Sequence, residues 1–211
     1  MRLVGGLNDL QKKRLDDDLF FYVRSSDVDG VKKTILLGAD VNAIDPDSEP
    51  YKRKSDRSRV FTTPLISAIR RGYVNIVYEL VKYGADVNKR ESPILGNVEK
   101  SLYENEYHYK TGQGMYHGLK YLTPLMVAIE HESEFRETEN TIKILNILLR
   151  HGARVNDSML GNVTALDLAV DYHLWDSADI LLKHDPSPPG RDSDEINQLI
   201  RRIAYWKKYG S

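Results

Sequence analysis

The sequence predicts an all-α solenoid of about four helix-turn-helix repeats, with long finger-loop insertions and a C-terminal capping helix. Three observations predict it. The phrase Gly-Ala-Asp-Val-Asn stands at Gly38–Asn42 and Gly84–Asn88, and nearly recurs as Gly-Ala-Arg-Val-Asn at Gly152–Asn156. A helix-opening phrase, Thr63-Pro64-Leu65, returns as Thr123-Pro124-Leu125 and as Thr164-Ala165-Leu166. Between opening and closing phrases the apolar residues recur at helical spacing. Helix pairs this short cannot hide their own apolar faces, so they must stack on copies of themselves.

Composition agrees with an object of large surface for its volume. Of 211 residues 41% are hydrophobic and 29% are charged. The net charge of −1 gives no global field for nucleic acid or an anionic membrane. There is no cysteine, hence no disulfide framework, no thiolate metal site and no cysteine nucleophile. The first residues lack a long apolar core, so a secretory leader is not expected. No apolar run is long enough to span a bilayer.

The first copy, Asp17–Asn42, has Asp17-Asp18-Leu19 in the opening place and Ser26 where a helix-ending glycine is usual. Its acids Asp16, Asp17 and Asp18 are read as a helix start, where they suit the dipole. Its polar outer positions suit an N-terminal cap. The second copy is the most regular. Thr63 caps a helix that Pro64 opens, because proline has no N–H to leave unpaired. Gly72 takes the left-handed conformation that ends it. Ile76, Val77, Leu80 and Val81 line one face of the second helix, and Gly84 closes it. The third copy runs from Leu122 to Asn156. The fourth has His173 in the glycine place and ends in the proline-rich His184–Gly190. A last helix begins near Ser193, with Ile196, Leu199, Ile200, Ile203 and Trp206 on one side, which reads as a lid on the final repeat or as a free amphipathic helix that binds a partner.

These phrases resemble the ankyrin repeat, whose period is about 33 residues and whose opening is Thr-Pro-Leu-His-x-Ala. The resemblance covers roughly residues 17–185, and it implies an array over 1–190 with repeats at about 17–42, 61–88, 121–156 and 162–185. Residues 191–211 then form the capping helix. The period survives three insertions of 13, 27 and 8 residues. Two of them, 44–61 and 89–121, fall where the family has its β-hairpin finger. The third, 130–140, falls between the two helices of the third repeat.

Function is expected in what the repeats do not need. The first insertion is basic, with Lys52, Arg53, Lys54, Arg57 and Arg59 against Asp56 in its second half. It reads either as a solvated loop or as a grip on an acidic surface. The second holds Tyr103, Tyr107, Tyr109, Tyr116 and Tyr121, five of the chain's 13 tyrosines. Disordered loops are poor in aromatics, so this segment folds back on the solenoid, carries contact residues, or does both. Its His108 and His117 match no metal-ligand spacing. The third insertion has five glutamates to one arginine and reads as an extension of the helices or loops into a solvated acidic edge, with Phe135 as an anchor. The histidines His131, His151 and His173 read as surface or capping residues.

No phosphate-cradling glycine loop, metalloprotease helix or nucleophile elbow is present. The expectation is therefore no catalytic, cofactor-binding or metal residue, and no cofactor. The resemblance implies a non-enzymatic module that binds a protein partner through a concave face and its fingers. The residues chosen for that role are Tyr51, Lys52, Arg53 and Arg57 in the first finger, and Tyr103, Tyr107, Tyr109 and Tyr116 in the second. Arg70 and Arg71 join them as polar residues on an otherwise apolar inner helix. Two other readings stay open. One is an effector or immunity-type inhibitor that blocks a single target enzyme. The other is a small-ligand-binding or enzymatic protein that uses 89–121. Nucleic acid and membrane are not expected as partners. The expected form is a cytoplasmic, intracellular monomer, or one delivered into a host cell.

Overall fold

A computed structural model describes residues 8–45, 60–93, 122–159, 162–185 and 191–209. Among them are four helix pairs: α1 (Asp9–Arg24) with α2 (Val28–Leu36), α3 (Pro64–Ile69) with α4 (Val74–Lys82), α5 (Pro124–Phe135) with α6 (Thr138–Arg150), and α7 (Ala165–Asp171) with α8 (Trp175–His184). A final helix, α9, spans Ser193–Tyr209. The inner helices stack in chain order, α1 on α3 on α5 on α7. The outer helices stack as α2, α4, α6, α8, with α9 closing the row on α8. The predicted solenoid is therefore the observed fold.

Stacking is what makes these helices possible. The α3 helix has six residues, far below the length at which an isolated helix holds in water. All six are buried. Leu19, Leu65, Leu125 and Leu166 occupy one row through the four inner helices, each 1% exposed or less. Burying such a side chain fully contributes about 1.5–3 kcal/mol. The openings behave as read. Thr63, Thr123 and Thr164 accept at Oγ1 from the amides of Ile66, Met126 and Asp167 at 3.2, 3.3 and 3.3 Å.

The left-handed residue between the helices of each pair is Ser26, Gly72, Arg136 or His173, with φ of 58–65°. Only one of the four is glycine, but the turn is the same. The recurring Asn of the closing phrase has a task that spacing alone does not reveal. Asn42 donates to the Gly84 carbonyl at 3.2 Å and accepts from the Asp86 amide at 2.8 Å. Asn88 repeats both bonds one repeat on, to Gly152 and Arg154, at 3.1 and 2.8 Å. Each Asn stitches its turn to the next. Asp86→Arg154 is tolerated because the stitch uses the backbone amide.

Three readings are corrected. First, α1 starts at Asp9, capped by Asn8 in a reciprocal box with Gln11, so Asp16–Asp18 lie within the helix and not at its start. Second, the third insertion is a solvated acidic edge only in part: it extends the helices as expected and leaves Glu134, Glu137 and Glu139 exposed, but not its first two acids. It lengthens α5 and α6, and Glu130 and Glu132 are 7% and 1% exposed. Third, His131 is 5% exposed and is no surface residue. On α9, Leu199 and Ile203 are buried and Ile196 partly so, but Ile200 is 47% exposed and turns away from the array. His151 and His173 do lie at the surface.

The α9 contact carries a pH dependence. Lys207 of α9 reaches Asp179 of α8, which Lys183 also holds at 2.8 Å. Burial pushes the Asp179 carboxyl up, but the two lysines outweigh that and leave it below its ordinary value. A depressed carboxyl stabilises the fold above its unfolded value, near about 4, and that contribution is lost as pH falls through the folded value. Both tryptophans sit in α8 and α9, as Trp175 and Trp206, and Arg202 lies 5.0 Å from the Trp175 ring. Tryptophan fluorescence is therefore expected to show an acid step below about pH 4. Asp179→Asn should remove the step, and a step unchanged by it would place the acid transition elsewhere.

Candidate partner-binding face

Each closing phrase leads to an acid or its equivalent and then to the next repeat. Asp45 N donates to Thr62 O at 3.0 Å, Glu91 N to Leu122 O at 3.0 Å, and Met159 N to Val163 O at 2.9 Å. Thr62, Leu122 and Val163 each precede the capping threonine by one residue. One backbone bond therefore closes the short connection of the last repeat and both long insertions. The strands β1 (Val60–Phe61) and β2 (Ser92–Pro93) pair antiparallel. The return of the first insertion thus lies beside the departure of the second. That neighbourhood was not legible in the sequence, because two-residue strands carry no pattern.

Side chains fasten the same bases to the inner helices. Arg24 of α1 pairs with Asp45. Forty-six residues on, in the same two places, Arg70 pairs with Glu91, its Nε donating to Oε1 at 3.1 Å. Arg70 also lies 3.8 Å from Glu130 of α5. Burial pushes the Arg70 guanidinium down, but Glu91 and Glu130 together hold it above its ordinary value. Arg70, chosen as a contact residue, is thus placed inside the chain between two buried carboxylates.

Arg71 is placed differently. Neither arginine is on the inner helix as expected: α3 ends at Ile69, Arg70 is its C-cap, and Arg71 stands exposed in the turn that follows. Its Nη1 donates to Ser67 O at 3.1 Å and to Ser67 Oγ at 3.0 Å. Partial desolvation pushes the guanidinium below its ordinary value; Tyr73 opposes that, and Arg24 and Arg70 add to it. In the preceding inner helix, α1 presents Phe21, 63% exposed, at the position that Ser67 holds in α3.

The lengthened α5 closes the other side. His131 faces Arg70 O through Nδ1 at 3.2 Å, so this nitrogen carries the proton and donates. The ring lies 4.9 Å from that of Phe135, which is 52% exposed. Nε2 lies 3.5 Å from Glu137. Glu132 accepts from Ser177 at the start of α8, a helix whose N-cap residue offers no side-chain cap. A buried carboxylate there also suits the helix dipole.

Tyr51, Lys52, Arg53 and Arg57, and Tyr103, Tyr107, Tyr109 and Tyr116, lie outside the described residues, as do His108 and His117. Among the described residues no group of three acids or histidines could hold a metal ion. No helix among them is long and apolar enough to cross a membrane.

Stacked helix pairs, asparagine stitches and finger bases define the class: the chain is an ankyrin-repeat protein. The family model described as Ankyrin repeat matches residues 62–92, which hold the most regular copy. A protein of Fowlpox virus (strain NVSL) that carries the ankyrin-repeat description, FPV031, is 31% identical over 143 residues, or 67% of this chain. The chain spans 32% of that relative's length.

Proposed function

We propose that this chain is a non-enzymatic protein-interaction module that grips a protein partner with its inner face and its two finger insertions. Ankyrin repeats generally mediate protein–protein contact, and the family is generally non-enzymatic. The observation that carries the reading is the pair of finger bases. The array closes its own backbone at Asp45–Thr62 and Glu91–Leu122, so the insertions are not needed to complete it. Their bases adjoin along one edge, and the second is fastened through Glu91 to Arg70, the residue before the exposed Arg71. Arginine and aromatic residues dominate binding energy at protein interfaces. Tyr51, Lys52, Arg53 and Arg57 supply charge and contact from the first finger, and Tyr103, Tyr107, Tyr109 and Tyr116 from the second. The protein acts as a monomer inside a cell.

Affinity purification with mass spectrometry, repeated with 94–120 replaced by a short Gly/Ser linker, tests this. The linker variant is expected to keep its melting temperature and lose the partner. Alanine at both Tyr107 and Tyr109 is expected to weaken the partner at least about tenfold with melting nearly unchanged. Equal loss of stability and binding would make those tyrosines structural. The viral origin of the relative favours a narrower form of the reading, an inhibitor of one target enzyme inside a host cell. A purified partner enzyme that loses activity on binding would establish it.

A further inference from the structure

We propose that Arg71 is the seat for a carboxylate of the partner, so that the inner face of the first two repeats selects an acidic protein segment with an apolar neighbour. The inference rests on the module reading above and names the chemistry of its partner.

Arg24 and the largely buried Arg70 lie near Arg71, and both are engaged. Arg24 has Asp45, and Arg70 has Glu91 and Glu130. Among the described residues Arg71 has no carboxylate partner, and its two bonds go to the carbonyl and hydroxyl of Ser67. Those bonds hold the side chain in place from one end, through Nη1. Among the described residues nothing takes the Nε–H and the Nη2 hydrogens, which form a parallel fork, the donor pattern that a carboxylate accepts with both oxygens. Holding the fork in advance lowers the entropy lost when the anion arrives. The charge arithmetic favours a carboxylate over a phosphate. Arg24, Arg70 and Arg71 face Asp45, Glu91 and Glu130, three cations to three carboxylates, so the local charge sums to zero and nothing there calls for an anion of charge −2. Phe21, exposed on α1 at the position matching the Ser67 that holds Arg71, offers apolar surface to a residue near the acid.

The test is selection of a random peptide library displayed on phage against the full chain, in parallel with R71E and R71Q. A variant with the first finger neutralised, K52A/R53A/R57A, serves as a third bait, because that segment is also basic. The wild type is expected to enrich peptides with Asp or Glu beside an apolar residue. R71E should lose them and R71Q should bind the best peptide about tenfold more weakly by fluorescence anisotropy. The finger variant should keep them. Melting curves close to wild type for R71Q guard against loss of fold in R71E. Acidic peptides kept by R71E but lost with the finger variant would overturn the inference and leave the module reading standing. Enrichment of phosphorylated or nucleic-acid probes over acidic peptides in competition would overturn it as well. So would a wild-type bait that enriches no peptide, even if whole-protein purification still yields a partner.

Discussion

Replacing Arg70 with methionine is expected to lower the stability of the array by about 3–5 kcal/mol, the usual loss when one member of a buried ion group is removed. The Arg70 side chain is 17% exposed, and those of Glu91 and Glu130 are 5% and 8% exposed. Without the guanidinium, two carboxylates remain buried near each other with their main counter-charge gone. The loss should concentrate where repeat two meets repeat three, since Glu91 belongs to a finger base and Glu130 to α5. Urea unfolding followed by helix circular dichroism measures the first, and hydrogen exchange of the α3 and α5 amides locates the second. A triple variant, R70M/E91M/E130M, removes the buried charges together and is expected to recover most of the loss. A single R70M variant within about 1 kcal/mol of wild type would show that water or another cation serves the carboxylates.

That experiment also tests why part of this molecule was legible in its sequence and part was not. Openings, turns and apolar spacing are local signals. Thr63, Gly72 and Gly84 announce a helix pair without reference to any distant residue. The acids of the third insertion announce only charge. What fixes them is far away in the chain: Glu130 faces Arg70, and Glu132 faces Ser177. Composition therefore reads as solvated edge throughout, where the fold leaves Glu134, Glu137 and Glu139 exposed and buries Glu130 and Glu132 in a network. His131 misleads for the same reason, since its bond is to Arg70 O and its ring lies against Phe135. The start of α1 was open to a closer reading. Asn8 followed by Gln11 is a capping box in the sequence itself, but the family's opening slot drew the boundary to Asp17. Of the candidate site, the fingers and Arg71 were legible as residues that the repeat does not require. The adjacency of the finger bases was not, because it depends on stacking two repeats.

The second large effect is expected at Gly30. A side chain there would place its Cβ 2.3 Å from Tyr22 Cδ1 and 2.5 Å from Cγ, atoms near the root of the ring that cannot swing clear. Gly30→Ile should therefore lower stability by about 3 kcal/mol, at the upper end of what overpacking usually costs. The neighbouring repeat shows the alternative solution. Forty-six residues on, the same two places hold Ala68 and Ile76, both fully buried. Repeat one sets a large ring on the inner helix against no side chain on the outer one, and repeat two sets a methyl group against an isoleucine. The volume is kept and its division is reversed. Tyr22→Ala alone should cost about 2 kcal/mol through the cavity it leaves. The double variant Y22A/G30I adopts the arrangement of repeat two, so it should be more stable than the sum of the single changes by about 1–3 kcal/mol. A double-mutant cycle from urea midpoints measures that coupling, and additive losses would mean that the two repeats pack by different rules. The swap reaches the binding face as well. Phe21 lies edge-on to the Tyr22 ring at 5.5 Å. The repacked variant should therefore keep the array while loosening Phe21, and bind acidic peptides less tightly without touching Arg71.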